Sequence, residues 1–316
     1  MAMSQVQFWR TAKLFLLSDR NALDLSGLRF RFQISANDVE TPNIAEIRVY
    51  NLSAGSKQEA LSEYSTVAIN AGYGENPQQI FRGTIKQFRT GKERNVDDFL
   101  DIFAADGDVP YNFAVVSEPL KAGSSQQDQF NALAKAAGIP VDGRSSAALS
   151  TGGILPRGKV LFGLAKDYFR EMARTNNMRW SIQNGALTLI PLDAYLPGTI
   201  VKINSATGMI GVPEATEQGI SVYCLLNPQI QIGNLLQINN ADITATTIKQ
   251  QFFPSFTDLN LVAGVSKEND GLYRVVVIEH EGDTRGQEWT THIICLLVDK
   301  TAATATPPNP VVQPFG

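Results

Sequence analysis

The chain has little of what catalysis and metal binding are usually made from. Its 316 residues include two cysteines, Cys224 and Cys295, and two histidines, His280 and His292. Two cysteines make no disulfide framework. Both lie in apolar runs, SVYCLL and HIICLLV, which predicts buried thiols in a reducing compartment, a Cys224–Cys295 disulfide being the less favoured alternative. Long hydrophobic runs are missing too. RVVVIEH and IICLLV are strand-sized, so no membrane span is expected. KLFLL, after Trp9 and Arg10, is too short for the core of a secretory signal, and synthesis in the cytoplasm is the default expectation. Charge is scarce: 18% of residues are charged, against about 25% in ordinary soluble domains. A surface so thinly charged predicts cover by partners. The net charge of −4 argues against a general electrostatic grip on nucleic acid. Glycine (25) and proline (15) are present in ordinary proportion, which excludes a collagen-like or wholly disordered chain.

The motifs that suggest chemistry are incomplete. GGILPRGKV has Gly153 and Gly158-Lys159 at the spacing of a phosphate-binding loop. Val160 stands where the magnesium-binding hydroxyl belongs, and Pro156 removes an N–H from the cradle. His280, flanked by Glu279 and Glu281, and His292 fall on neighbouring strands, where a metal site is conceivable but a solvated face explains the same residues. Paired carboxylates in a cleft and a Gly-x-Ser-x-Gly elbow are both missing. No catalytic, cofactor-binding or metal-binding residue is assigned. The run Arg82, Lys86, Arg89, Lys92 and Arg94, interleaved with Phe81 and Phe88, leaves single-stranded nucleic acid as a minor alternative.

Periodicity divides the chain. Residues 1–118 read as strands and a first β domain: 28–34, 44–52, 66–73, 80–89 and 99–104 alternate apolar and polar residues, with a turn from Thr90 to Asp98. Residues 119–198 read as a small α+β domain. Ser125 and Asp128 have capping-box spacing before a helix that Gly138 stops. A second helix is expected over 160–177, with Leu161, Leu164, Ala165, Tyr168, Phe169 and Met172 on one face and Asp167 and Arg170 off it. That face should pack on a hairpin over 178–192 that turns at Asn184-Gly185. Residues 199–300 return to strands, at 220–226, 228–238, 271–283 and 288–299, and form the second β domain. The proline-bearing 301–316 reads as an extended or disordered tail. The hairpins IFRGTIKQFRTG…DDFLDIFA and LYRVVVIEHEGD…QEWTTHIICL share one plan: Phe81-Arg82 echoes Tyr273-Arg274, and Asp98-Phe99 echoes Glu288-Trp289. That hints at a duplicated β domain.

Four stretches resemble the central baseplate hub proteins of contractile-tailed phages. They are IRVYNLS (47–53) with NAGYGENPQQIFRGTIKQ (70–87), RWSIQNGALTLIP (179–191), SATGMIGVPEATEQGISVYCLLNPQIQIGNLLQI (205–238) and GLYRVVVIEHEGDTRGQEWTT (271–291). The resemblance implies a mainly β fold with an α+β insert, two tail-tube-like barrel or sandwich domains flanking a small α+β domain. It implies a structural virion protein at the tail tip and no enzyme. Three copies would form a ring of pseudo-sixfold symmetry between a hexameric tail tube protein and a trimeric central spike protein, among other baseplate proteins. DNA would pass the bore without specific binding. The hub of a phage-derived injection device, a tailocin or secretion system, has the same architecture. Within the matching stretches, Tyr50, Asn51, Gly83, Trp180, Asp283, Arg285 and Trp289 are the candidate structural or interface residues. In the loop Gly282–Gly286, Asp283 should satisfy turn N–H groups while both glycines permit positive φ.

Overall fold

The computed structural model describes residues 9–94, 96–145, 149, 153–192, 194–216, 219–238, 244–245 and 271–298. The proposed tail, 301–316, lies outside them. The first strands are β1 (Arg10–Leu17), β2 (Ala22–Asp24), β3 (Phe30–Asn37), β4 (Ile44–Tyr50), β5 (Thr66–Tyr73), β6 (Gln78–Glu93) and β7 (Asp97–Ala105). Between β4 and β5 lies a helix absent from the sequence reading, α1 (Ala54–Glu63). It buries Ala60 alone, so it has no apolar stripe to betray it; only its cap, Ser53 accepting from the Ser56 N–H, was a signal. β6 and β7 also run further than expected, and the turn shortens to the residues between Glu93 and Asp97.

The middle of the chain holds α2 (Asp108–Phe113), β8 (Val115–Leu120), α3 (Gln126–Ala137), β9 (Lys159–Leu164), α4 (Ala165–Thr175), β10 (Met178–Gln183) and β11 (Ala186–Pro191). α3 has the expected reciprocal capping box between Ser125 and Asp128, and it ends on Gly138 at φ 68°. The second helix is shorter than expected. Residues 159–164 are a strand paired with β8, and Leu164 is the N-cap of α4. Val160 and Leu164 are exposed there, whereas Leu161 is buried. The apolar period carried straight through a strand-to-helix junction. β10 and β11 form the expected hairpin, with Asn184 (φ 54°) and Gly185 (φ 82°) at the turn.

The last strands are β12 (Val201–Ile203), β13 (Met209–Thr216), β14 (Gly219–Leu225), β15 (Leu235–Ile238), β16 (Thr244–Ala245), β17 (Gly271–Asp283) and β18 (Trp289–Leu297). The strand expected over 228–238 begins only at Leu235; before it the chain turns, with Gly233 at φ 82°. Most strands join one sheet in the order β16-β13-β14-β18-β17-β3-β4-β7-β6-β5-β1-β2, with β15 also on β17 and β12 on β15.

The order β3-β4-β7-β6 is repeated as β13-β14-β18-β17. β5 lies on β6 as β15 lies on β17. β6 has a bulge between Ile85 and Gln87, and β17 has one between Val275 and Val277. Bulges pin register, so Gln87 corresponds to Val277. The sequence echo therefore found equivalent hairpins but misaligned them: the counterpart of Arg274 is Thr84, two residues beyond Arg82.

Three apolar cores result. The first lies under β1, β3–β7 and α1, the second under β12–β15, β17 and β18, and the third in the α+β middle. In the third, Phe169 lies 5.2 Å from Trp180 and 6.3 Å from Phe130, ring centre to ring centre. This is the packing of α4 on the hairpin expected from the sequence. Polar contacts tie this unit to the sheet. Arg179 binds Asp38 at 2.7 Å, Asn43 donates to the Ile182 carbonyl at 3.0 Å, and Asp106 accepts from the Gly185 N–H at 2.9 Å. Arg170 reaches Glu40 at 2.8 Å, so it joins units and is not the idle surface residue expected.

Phe169→Ala is expected to cost about 3–5 kcal/mol in urea melts, the range for a buried aromatic. Asp167→Ala should stay within about 0.5 kcal/mol. Asp106 supplies a pH test. Burial pushes its carboxyl up to about 7 against the opposing N–H groups of Gly185 and Asn184. Its ionisation therefore lowers stability as pH rises from the ordinary 3.8 through about 7. Asp106→Asn should melt with the parent near pH 4 and above it at about pH 8.

Candidate functional site

The seven residues singled out from the sequence fall in three places. Trp180 is in the third core, away from the rest. Tyr50 ends β4 under the Arg29 guanidinium, 4.7 Å from its ring centre. Asn51, at φ 54°, donates its side-chain N–H to Asp97 at 3.1 Å and closes the same end of the sheet. Gly83 lies in β6 where a Cβ would come 2.7 Å from the Ala105 carbonyl oxygen and from the Phe81 ring, so it serves close packing. The remaining three, Asp283, Arg285 and Trp289, sit together where β17 meets β3.

That junction is the best-built polar site in the molecule. β3 and β17 pair antiparallel from Val277↔Asn37 to Asp283↔Arg31. At its end the Asp283 carboxylate, buried, takes the Arg29 guanidinium at 2.6 Å and the Arg285 N–H at 2.9 Å. The Thr284 N–H donates to the Phe30 carbonyl, and the Phe30 N–H donates to the Thr284 hydroxyl, each at 3.1 Å. Arg31 adds Glu288 at 2.9 Å, and Arg10 of β1 donates to the carbonyls of Gly286 and Gln287. Burial pushes the Asp283 carboxyl up, but Arg29 and the N–H groups of Arg285 and Gly286 outweigh it and hold it below the usual carboxylate range.

Asp283 thus closes the turn as expected, while the two glycines act differently. Neither Gly282 nor Gly286 has positive φ. A Cβ on Gly282 would come 2.4 Å from the Phe32 ring, and one on Gly286 2.6 Å from the Asp283 carboxylate. Both are glycine because something packs against them. Trp289, buried, meets Phe32 edge-on at 5.7 Å and belongs to the first core although it comes from the second set of strands. The loop is thus largely spent on joining the two halves of its own chain.

Next to this lock lies an open sheet face. Along β17, Ile278, His280 and Gly282 point into the cores, while Val277, Glu279 and Glu281 point away. The outward set continues through Gln33 and Arg31 of β3, Glu46 and Arg48 of β4, and Arg89 of β6. Arg48 is held by Asp101 at 2.7 Å, which raises its pKa further. On the other side of β17, His292 donates from Nδ1 to the Glu279 carboxylate at 3.1 Å, hydrogen-bonds the Ser221 hydroxyl through Nε2 at 2.9 Å, and stacks on Tyr223 at 4.2 Å.

The strand pairs His280↔Thr291 and Glu279↔His292 put the two histidines on opposite faces of the sheet, so they share no metal site. Buried His280 is pushed down to about 4 by desolvation and is neutral. Among the described residues no cluster of three metal-ligating side chains occurs. Lys159 starts a strand, not a helix, and lies 3.4 Å from Glu171. Cys224 and Cys295 are free and buried; Cys224 faces Thr291 and Cys295 faces Ile220, four residues apart along the ladder. No described helix is long and apolar enough to cross a membrane.

Residues 164–244 match the family model described as Baseplate hub gp41. They run from the N-cap of α4 to the start of β16 and cover about a quarter of the chain. Among solved structures, the 43 kDa tail protein of prophage MuSo2 from Shewanella oneidensis has a TM-score of 0.54 at 8% identity, over 90% of this chain and 97% of its own. A tail protein from Neisseria meningitidis MC58 has a TM-score of 0.53 at 9% identity, over 91% and 96%. A comparison with curated protein sequences returns no match. The fold is like that of these phage tail proteins, mostly β with small helical insertions, and the stretch 164–244 is similar to a baseplate hub family.

Asp283→Ala removes a buried carboxylate that serves Arg29 and two N–H groups, and should cost about 2–3 kcal/mol. Because the folded carboxyl sits below its ordinary 3.8, that contribution is complete above about pH 4 and fades as acid protonates it. Urea melts of parent and variant at neutral and acid pH measure both.

Proposed function

We propose that the chain is the structural hub of a phage baseplate, three copies closing into a ring that joins a hexameric tail tube to a trimeric spike. The repeated four-strand order carries this reading. Each chain holds two equivalent modules side by side in one sheet, so three chains present six, the number a hexameric tube requires. In this reading residues 1–118 and 199–300 are the two tube-like domains, 119–198 is the α+β domain beside the ring, and 301–316 is a tail. The matched family description and the fold of the tail proteins support it. The place of the protein is the virion, at the tail tip, after synthesis in the host cytoplasm.

The open sheet face is assigned to the bore. It mixes Gln, Ser and Asn with carboxylates: Glu46, Glu279 and Glu281 against Arg31, Arg48 and Arg89, all three of which are already paired with acidic groups. Such a lining gives a phosphate backbone no continuous row of cations to hold, so DNA slides past. Asp283, Arg285 and Trp289 act by fixing the angle between the two modules. Tyr50, Asn51 and Gly83 shape the rim of the first module, and Trp180 the core of the α+β unit.

The experiment is mass measurement of the assembled chain with DNA binding beside it. Light scattering should give three times the monomer mass, alone or with the tube or spike partner. The parent should leave double-stranded DNA unretarded. Glu46→Lys with Glu281→Lys should create retardation that is lost on raising salt. A chain that stays monomeric under all these conditions overturns the ring, and strong DNA binding by the parent overturns the assignment of the face.

A further inference from the structure

The internal seam between β17 and β3 has an unused counterpart at each end of the sheet. β17 gives its first residues to β15 and, beyond its bulge, the same edge to β3. β6 gives its first residues to β5 and, beyond its bulge, runs from Gln87 to Glu93 with β7 on one side and no described strand on the other. At the opposite end β13 holds the place of β3. Among the described residues its outer edge carries only the two-residue β16, at Glu214 and Ala215. A seven-residue strand edge with free N–H and C=O groups is a template for pairing.

We propose that β6 of one copy pairs antiparallel with β13 of the next, repeating between chains the seam that β17 and β3 make within one. The occupant of each edge is a second copy of this chain, because the chain already contains both partners in equivalent form. The inference rests on the ring reading and adds to it the strands and their register. Carried over from the internal seam, that register sets Arg89 opposite Thr216, Gly91 opposite Glu214 and Glu93 opposite Ile210. Arg89 then lies diagonal to Glu214 on the open face, an opposite-charge pair. Three residues, Gly211 to Pro213, stand in β13 where β3 has Phe32 alone, and the ladder of β13 is irregular there. Proline is admissible at such an irregularity on an edge strand. β16 gives way when the neighbour arrives, two residues of parallel pairing being replaced by a longer antiparallel ladder. The contact is head-to-tail, β6 to β13, so it closes only as a ring.

The test puts Glu93→Cys and Ile210→Cys in the same full-length chain, with each single variant as control. The native thiols are buried and do not compete. Under mild oxidation the double variant should give disulfide-linked species of two and three chains on a non-reducing gel, removed by reductant, and neither single variant should. Dimers from one single variant show a symmetric contact and overturn the head-to-tail seam. Light scattering that shows a trimer without cross-links overturns the seam and leaves the ring standing. No association at all overturns both. A ladder that runs past three supports the strand pairing and overturns the threefold closure.

Discussion

Everything else in the molecule is arranged around the pairing of β17 with β3. Residues 240 to 252 positions apart form a seven-pair ladder, and that ladder turns two four-strand modules into one continuous sheet. Its far end is locked by Asp283, which gathers Arg29 and the loop N–H groups, and by Phe32 and Trp289 closing on Gly282. Loop closure over so long a span is entropically costly, which is why the seam carries ladder, charge pair and aromatic contact together. Trp289 and Leu226, from the second module, complete the first core, and Ala36, from the first, packs on the second. The modules are equivalent in plan but not separable in packing.

A sheet made this way has two unlike faces. One is covered by three apolar cores; the other mixes polar and charged side chains with Phe103, Val277, Tyr223 and Ile294, and several of its charges satisfy one another, as Arg48 with Asp101 and Arg31 with Glu288 do. This explains the low charged fraction better than a general polar surface does. Many of the few charges are spent at joints: Arg179 with Asp38, Arg170 with Glu40 and Arg144 with Asp142 each stand between units or at their turns. The cavity where the three cores meet is lined by such groups, Asp106, Asp142 and Arg144 among them, already paired within the chain. In the hub reading, stiffness between modules is the functional requirement, and these joints supply it.

The sequence by itself determined the local elements wherever one face meets solvent. Strict alternation marked β3, β4 and β5, the Ser125–Asp128 box and Gly138 marked both ends of α3, and Asn184-Gly185 marked its hairpin, because period, cap and turn chemistry are properties of neighbouring residues. It also betrayed the duplicated hairpins, though two residues out of register at Arg274, since an echo of residue types cannot see a bulge. Three features were settled only by tertiary structure. Residues 159–164 became a strand because β8 was there to pair with them; their apolar spacing fits a helix equally well. α1 formed with almost nothing buried, so no stripe announced it. Gly282, Asp283 and Trp289 were visible as a turn and an anchor, but not what they hold. Their partners, Arg29 and Phe32, lie at the other end of the chain, and only long-range pairing brings the two ends to one place.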